Sequence, residues 1–161
     1  MNIPTFRSLM LLILCIALPL IAGFIGAVFT LPAIPGWYAG IQKPVFTPPS
    51  WVFGPAWTIL YLLMGISLWI VISEGWGSHD GKTGVVLFFI QLAANVGWSV
   101  LFFGMHLFAA AFVEVLLLLC LIAATMAIFL RISRTAGLLL VPYLCWTAFA
   151  SLLTGMIWVL N

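Results

Sequence analysis

Charge is what this sequence lacks. Only 5% of its 161 residues are charged, three acids and five bases. Soluble domains carry about 25% charged residues, so a water-soluble class is excluded. The formal net charge of +2 is small and scattered along the chain, which argues against a nucleic-acid partner. Cysteine is equally scarce. Cys15, Cys120 and Cys145 are odd in number and lie in apolar runs, so no disulfide framework or metal-ligand spacing is present and packed thiols are expected. The sequence has no nucleophile set beside a base and no glycine-rich nucleotide loop.

What is abundant is apolar sequence. Hydrophobic residues make up 66% of the chain and the mean hydropathy is +1.34, the composition of an integral membrane protein. The apolar runs do not alternate with polar residues as lipid-facing barrel strands must. The expected fold is therefore an all-α bundle of five transmembrane helices in one domain, residues 1–161, with spans at about 8–30, 51–73, 84–105, 108–130 and 135–159. Each approaches the ~20 residues needed to cross a bilayer. The first run follows Arg7 in the manner of a signal peptide, but it exceeds the 7–15 residues of such a segment's apolar core, so a retained helix is expected. If the N-terminus lies on one side, that side holds Arg7, Lys82, Arg131 and Arg134, and the other holds only Lys43. The bias predicts a cytoplasmic N-terminus and an external C-terminus.

The longest predicted connection is a lid loop over 31–50, rich in proline and aromatics and carrying Lys43. Prolines stiffen it and reduce the cost of ordering it over a ligand. In the second span, Phe53, Trp57 and Tyr61 are spaced four apart and share one helical face. Such a face can stack on a flat aromatic ligand; aromatics also mark bilayer interfaces, the reading adopted for Trp51. Asn95 is an amide in an apolar span and needs a partner that lipid cannot supply. With Gln91 and Trp98 it forms a polar and aromatic stripe that serves either as interhelical glue or as part of a ligand site. Trp146, Ala150 and Leu153 repeat the helical spacing below Pro142, whose missing N–H bends a helix and opens space beside it. Gly23, Gly26 and Ala27 on the first span, and Ala123 and Ala127 on the fourth, offer small faces for helix packing. Glu114, a carboxylate within a span, calls for pairing, snorkelling or a role of its own, and a proton relay would need a second acid. His106 in the short turn has no opposing ligand for haem iron.

The run Trp37-Tyr38-Ala39-Gly40-Ile41-Gln42-Lys43-Pro44, then Pro48-Pro49, Trp51, Gly54-Pro55-Ala56-Trp57 and Tyr61, resembles the signature of the translocator protein family, also called tryptophan-rich sensory proteins or peripheral benzodiazepine receptors. Gln91-Leu92-Ala93-Ala94-Asn95 with Trp98, Phe102-Phe103-Gly104, and Pro142-Tyr143-Leu144 with Trp146 and Ala148-Phe149-Ala150 extend the likeness over nearly the whole chain. The resemblance implies a five-helix bundle, usually dimeric, that binds porphyrins and, in animals, cholesterol and synthetic ligands. It places Ala27, Asn95, Trp146 and Ala150 at ligand-pocket positions. The expected ligand-binding set takes Ala27 from the first span and Trp37, Tyr38 and Lys43 from the loop. Phe53, Gly54, Trp57 and Tyr61 come from the second span, Asn95 and Trp98 from the third, and Trp146, Ala150 and Leu153 from the fifth. Lys43 would meet the propionates of a porphyrin or else remain solvated.

Two departures bear on the ligand. The segment after Leu152 has no Tyr followed by a basic residue, the short motif associated with cholesterol in mammalian relatives. Ala110 stands where animal members place a pocket tryptophan. The expected function is a membrane receptor for protoporphyrin IX, haem or a related lipophile, used in tetrapyrrole sensing, sequestration or transport, in a bacterial inner membrane. No cofactor is required, no metal site is expected, and the partners are the ligand, the bilayer and a second copy. An alternative implied by the resemblance is light- and oxygen-dependent porphyrin degradation, with Trp57 and Trp146 as the redox-active residues. A further alternative is a carrier that moves its lipophilic ligand across the membrane, against which stand the lack of an inverted repeat and of a chain of ionisable groups.

Overall fold

A computed structural model describes residues 6–161. Its helices are α1 (Phe6–Ala33), α2 (Phe53–Gly75), α3 (His79–Ser99), α4 (Phe108–Ile132), α5 (Arg134–Leu139) and α6 (Val141–Leu160), and no strand occurs among the described residues. Five helical rods of 25 to 33 residues are long and apolar enough to cross a membrane, α5 and α6 together forming the fifth. Their outer faces expose residues such as Ile13, Leu14, Val86, Val113 and Leu117, as a surface solvated by hydrocarbon requires.

The boundaries differ from the sequence expectation in three places. The first helix does not end at residue 30. It runs through Ala33 into a single π turn, Ile34–Tyr38, so Trp37 and Tyr38 stand on a helical rod and the true loop is confined to about 41–49. Prolines in the 31–50 stretch suggest a helix end, yet each removes only its own N–H: Pro32 lies inside α1 and Pro35 in the wider turn, and the rod continues. The third helix begins at His79, well before Gly84, because the Ser78 hydroxyl accepts the Gly81 N–H at 2.9 Å and Asp80 occupies the first turn. The polar stretch 74–83 is thus mostly helical. The last span is broken at Leu140, and Pro142 sits in the first turn of α6, where a missing N–H costs nothing.

That break shapes the interior. The Ser67 hydroxyl donates to the Ala136 carbonyl at 2.7 Å, joining α2 to α5, whereas α6 leaves α2 and packs on α4. The end of the bundle away from the 41–49 loop is consequently solid, filled by Met64, Leu68, Val71, Phe88, Leu118 and Phe129. Space opens at the other end, beside α6.

Candidate functional site

A cavity of about 480 Å³ occupies the loop half of the bundle, within the size range of small-molecule sites. Phe53, Gly54, Trp57 and Tyr61 form its α2 wall. Trp57 stacks on Tyr61 at 5.4 Å between ring centroids, and Phe53 meets Trp146 edge-on at 5.9 Å. Trp146, Ala150 and Leu153 of α6 face this wall, and Asn95 and Trp98 of α3 close the back with Phe102 of the π turn Val100–Gly104 that follows α3, Trp98 and Phe102 being stacked at 5.2 Å. Ala27 and Thr30 line the α1 side, and Tyr38 helps to close the loop end. Gly23 lets α1 approach: a Cβ there would run into the Tyr61 ring. Gly26 similarly faces Ser99. These glycines therefore serve packing within the chain, while Ala123 and Ala127 point outward.

Asn95 lines the cavity and also joins the helices. Tyr61 donates to its Oδ1 at 2.8 Å, and its Nδ2 donates to the Tyr143 hydroxyl at 3.2 Å. Tyr143 in turn donates to Gln91 Oε1 at 2.9 Å. This buried chain ties α2, α3 and α6 together directly below the cavity, and it supplies the partners an amide needs in a dry interior. Tyr143 was not singled out from the sequence. Its place beside Pro142 gives no sign that it meets Gln91, 52 residues away.

Two expected site residues stand elsewhere. Trp37 stacks on His106 at 4.0 Å and on Phe108 at 5.6 Å, turned away from the cavity and bracing the α3–α4 connection, where His106 has a φ of 58°. Lys43 is consumed by the backbone. Its ammonium donates to the carbonyls of Tyr38 and Ile41 and lies 4.9 Å from the Tyr38 ring centroid, capping the end of the α1 rod as a cation does at a helix C-terminus. Of the 31–50 segment expected as a lid, Leu31, Ile34, Tyr38 and Ser50 line the cavity, and none of residues 41–49 does. The loop is instead held across the end of α6, where Gln42 and Asn161 exchange two 3.0 Å hydrogen bonds and Phe46 meets Phe149 at 6.3 Å.

Trp51, assigned to the interface, is exposed and also reaches the cavity rim. Cys15 is packed in the core as expected, but Cys120 and Cys145 face outward, which costs nothing for a thiol in hydrocarbon. Both Glu114 carboxylate oxygens are buried without a hydrogen-bond partner among the described residues, and Oε1 lies 3.9 Å from where a Cβ on Gly97 would be. No cluster of three His, Cys, Asp or Glu side chains suited to a metal occurs among the described residues.

The fold and the site define a class: an α-helical integral membrane protein with an aromatic-walled cavity inside the bundle. Within that class the chain belongs to the TspO/MBR family, which residues 15–159 match. It is 46% identical to the tryptophan-rich protein TspO of Chlorobaculum tepidum over 96% of this chain and 98% of that one. Identity to the tryptophan-rich protein TspO of Archaeoglobus fulgidus is 43%, over 96% and 99% of the two chains. The translocator protein of Bos taurus is 39% identical over 88% of this chain and 84% of its own.

Proposed function

We propose that the protein is a membrane receptor that binds a flat lipophile of the porphyrin class, protoporphyrin IX or haem, in the cavity between α1, α2, α3 and α6. The observation that carries this reading is an α2 panel, Phe53, Trp57 and Tyr61, joined through Phe53 to Trp146 around a space that Ala150 leaves unfilled. Aromatic panels suit a planar ring system, and the Tyr61–Asn95–Tyr143–Gln91 chain presets their positions. With Lys43 engaged by carbonyls, propionates would be accommodated toward the headgroups and would not meet a lysine in the cavity. Sensing, sequestration or transport of tetrapyrrole follows from this binding.

Arg7, Lys82, Arg131 and Arg134 lie at the end opposite the loop, which supports a cytoplasmic N-terminus and an external loop. A bacterial inner membrane and a homodimer belong to the same proposal. The test is a titration of the detergent-solubilised protein with protoporphyrin IX in the dark, followed by tryptophan fluorescence. Saturable quenching that weakens in Trp57→Ala and Trp146→Ala supports the site, whereas quenching that is unsaturable or unaltered in both variants overturns it. Trp57 and Trp146 both line the cavity, which keeps photo-oxidative degradation as a second reading. Illumination of the same sample separates the two, because degradation bleaches the porphyrin and yields a new product.

A further inference from the structure

The cavity is roofed by buried side chains toward the loop and opens between α1 and α2. At the loop end Tyr38, Phe102, Leu153 and Ile157 are all buried against one another, and the 41–49 segment above them is fastened by Lys43 and by the Gln42–Asn161 pair. On the α6 side Trp146 lines both the cavity and a shallow outer groove with Pro48, Pro142 and Cys145, so its ring is the partition between them.

The α1–α2 side is different. Away from the loop the two helices touch backbone to backbone, since a Cβ on Gly65 would lie 2.5 Å from Ile16 Cα. They remain in contact up to Gly23 and the Tyr61 ring. Beyond that point they separate. A Cβ on Gly54 would meet nothing within 4 Å, and three cavity-lining residues at this level are also open to the outside, Phe24 72%, Leu31 66% and Trp51 75% exposed. Thr58 is exposed beside them with its hydroxyl turned onto its own backbone, donating to Gly54 O at 2.9 Å. The gap is thus a V between two transmembrane rods with an apolar rim.

We propose that this V is a lateral portal through which a lipophile passes between the bilayer hydrocarbon and the cavity, the loop being a fixed roof and no gate. The inference deepens the receptor reading above, but its test uses no porphyrin. A lipophile dissolved in the membrane then reaches the site without crossing water, which fits a roof fastened through Gln42 and Lys43.

The experiment places a thiol in the cavity, Ala150→Cys, with Cys120→Ala and Cys145→Ala removing the outward-facing thiols. In proteoliposomes the protein is treated either with a long-chain alkyl maleimide, which partitions into lipid, or with a charged, membrane-impermeant thiol reagent. Mass spectrometry locates the adduct and so distinguishes residue 150 from Cys15. The portal predicts that the lipid-borne reagent labels residue 150 and the charged one does not. Thr58→Trp or Leu31→Trp, each narrowing the V from a different helix, should slow that labelling about tenfold, and Asn161→Ala, which unfastens the roof, should not speed it. Labelling by the charged reagent that Asn161→Ala accelerates, indifference to both tryptophans, or no labelling by either reagent would each overturn the portal.

Discussion

Tyr61 of α2 donates its phenolic proton to Asn95 of α3 at 2.8 Å in a buried setting, and this bond makes a cavity wall and a helix joint one structure. Asn95 is in turn held by Tyr143, and Tyr143 by Gln91. The four side chains have to be preserved together, since removal of one leaves another buried without a partner.

Tyr143→Phe should therefore destabilise the bundle although it adds no volume. Asn95 loses an acceptor and Gln91 a donor, and hydrogen bonds between membrane helices contribute about 0.6 kcal/mol on average, up to roughly 1.7. A lower thermal midpoint in detergent, with the helical content of the folded state unchanged, is the expected result. A midpoint equal to that of the wild type would show that the chain contributes nothing.

Ala150→Val should weaken ligand binding with little effect on folding. The position faces the cavity and is only half-buried, so the added methyl groups occupy ligand space and clash with no core neighbour. A loss of about tenfold in protoporphyrin IX affinity, equivalent to ~1.4 kcal/mol, is expected in the dark titration, alongside an unaltered thermal midpoint.

Gly65→Ala should do the opposite. Its methyl group would lie against the Ile16 backbone, which cannot turn aside as a side chain can, and overpacking of this kind costs about 1–3 kcal/mol. Unfolding in sodium dodecyl sulfate should shift to lower denaturant fractions. Gly54→Ala, where the new methyl group meets nothing, is the control that should remain stable.

Lys43→Met separates the two readings of the only basic residue at the loop end. Because Nζ is bound to the Tyr38 and Ile41 carbonyls, the change should speed proteolysis of the 41–49 segment and alter porphyrin affinity less than about threefold, or ~0.6 kcal/mol. A large loss of affinity with an intact loop would return Lys43 to the ligand.

Much of this architecture was legible from the sequence, and the reasons are physical. Spans declare themselves because hydrocarbon thickness imposes a length on apolar runs, and side-chain spacing placed Trp57 with Tyr61 and Trp146 with Ala150 and Leu153 because a helix has a fixed pitch. Features set by partners distant in sequence did not show. Nothing local in Tyr143 indicates Gln91, and nothing in Lys43 indicates that its proton donors are taken by carbonyls a few residues back. The prolines of the 31–50 stretch misled for a different reason, since Pro32 is carried inside α1 and Pro35 in the π turn that brings Trp37 and Tyr38 onto the α1 rod. The open side of the cavity depends on where two helices diverge, which no single segment encodes.

The central claim is that a planar pigment sits inside the bundle against Trp57 and Trp146. Its most direct test is a crystal structure of the protein grown with zinc protoporphyrin, in which anomalous scattering locates the zinc. The account predicts an anomalous peak within the cavity, with macrocycle density against the α2 panel and Trp146. A peak confined to the outer groove beside Cys145, or to the lipid-facing surface with the cavity empty of density, would contradict it.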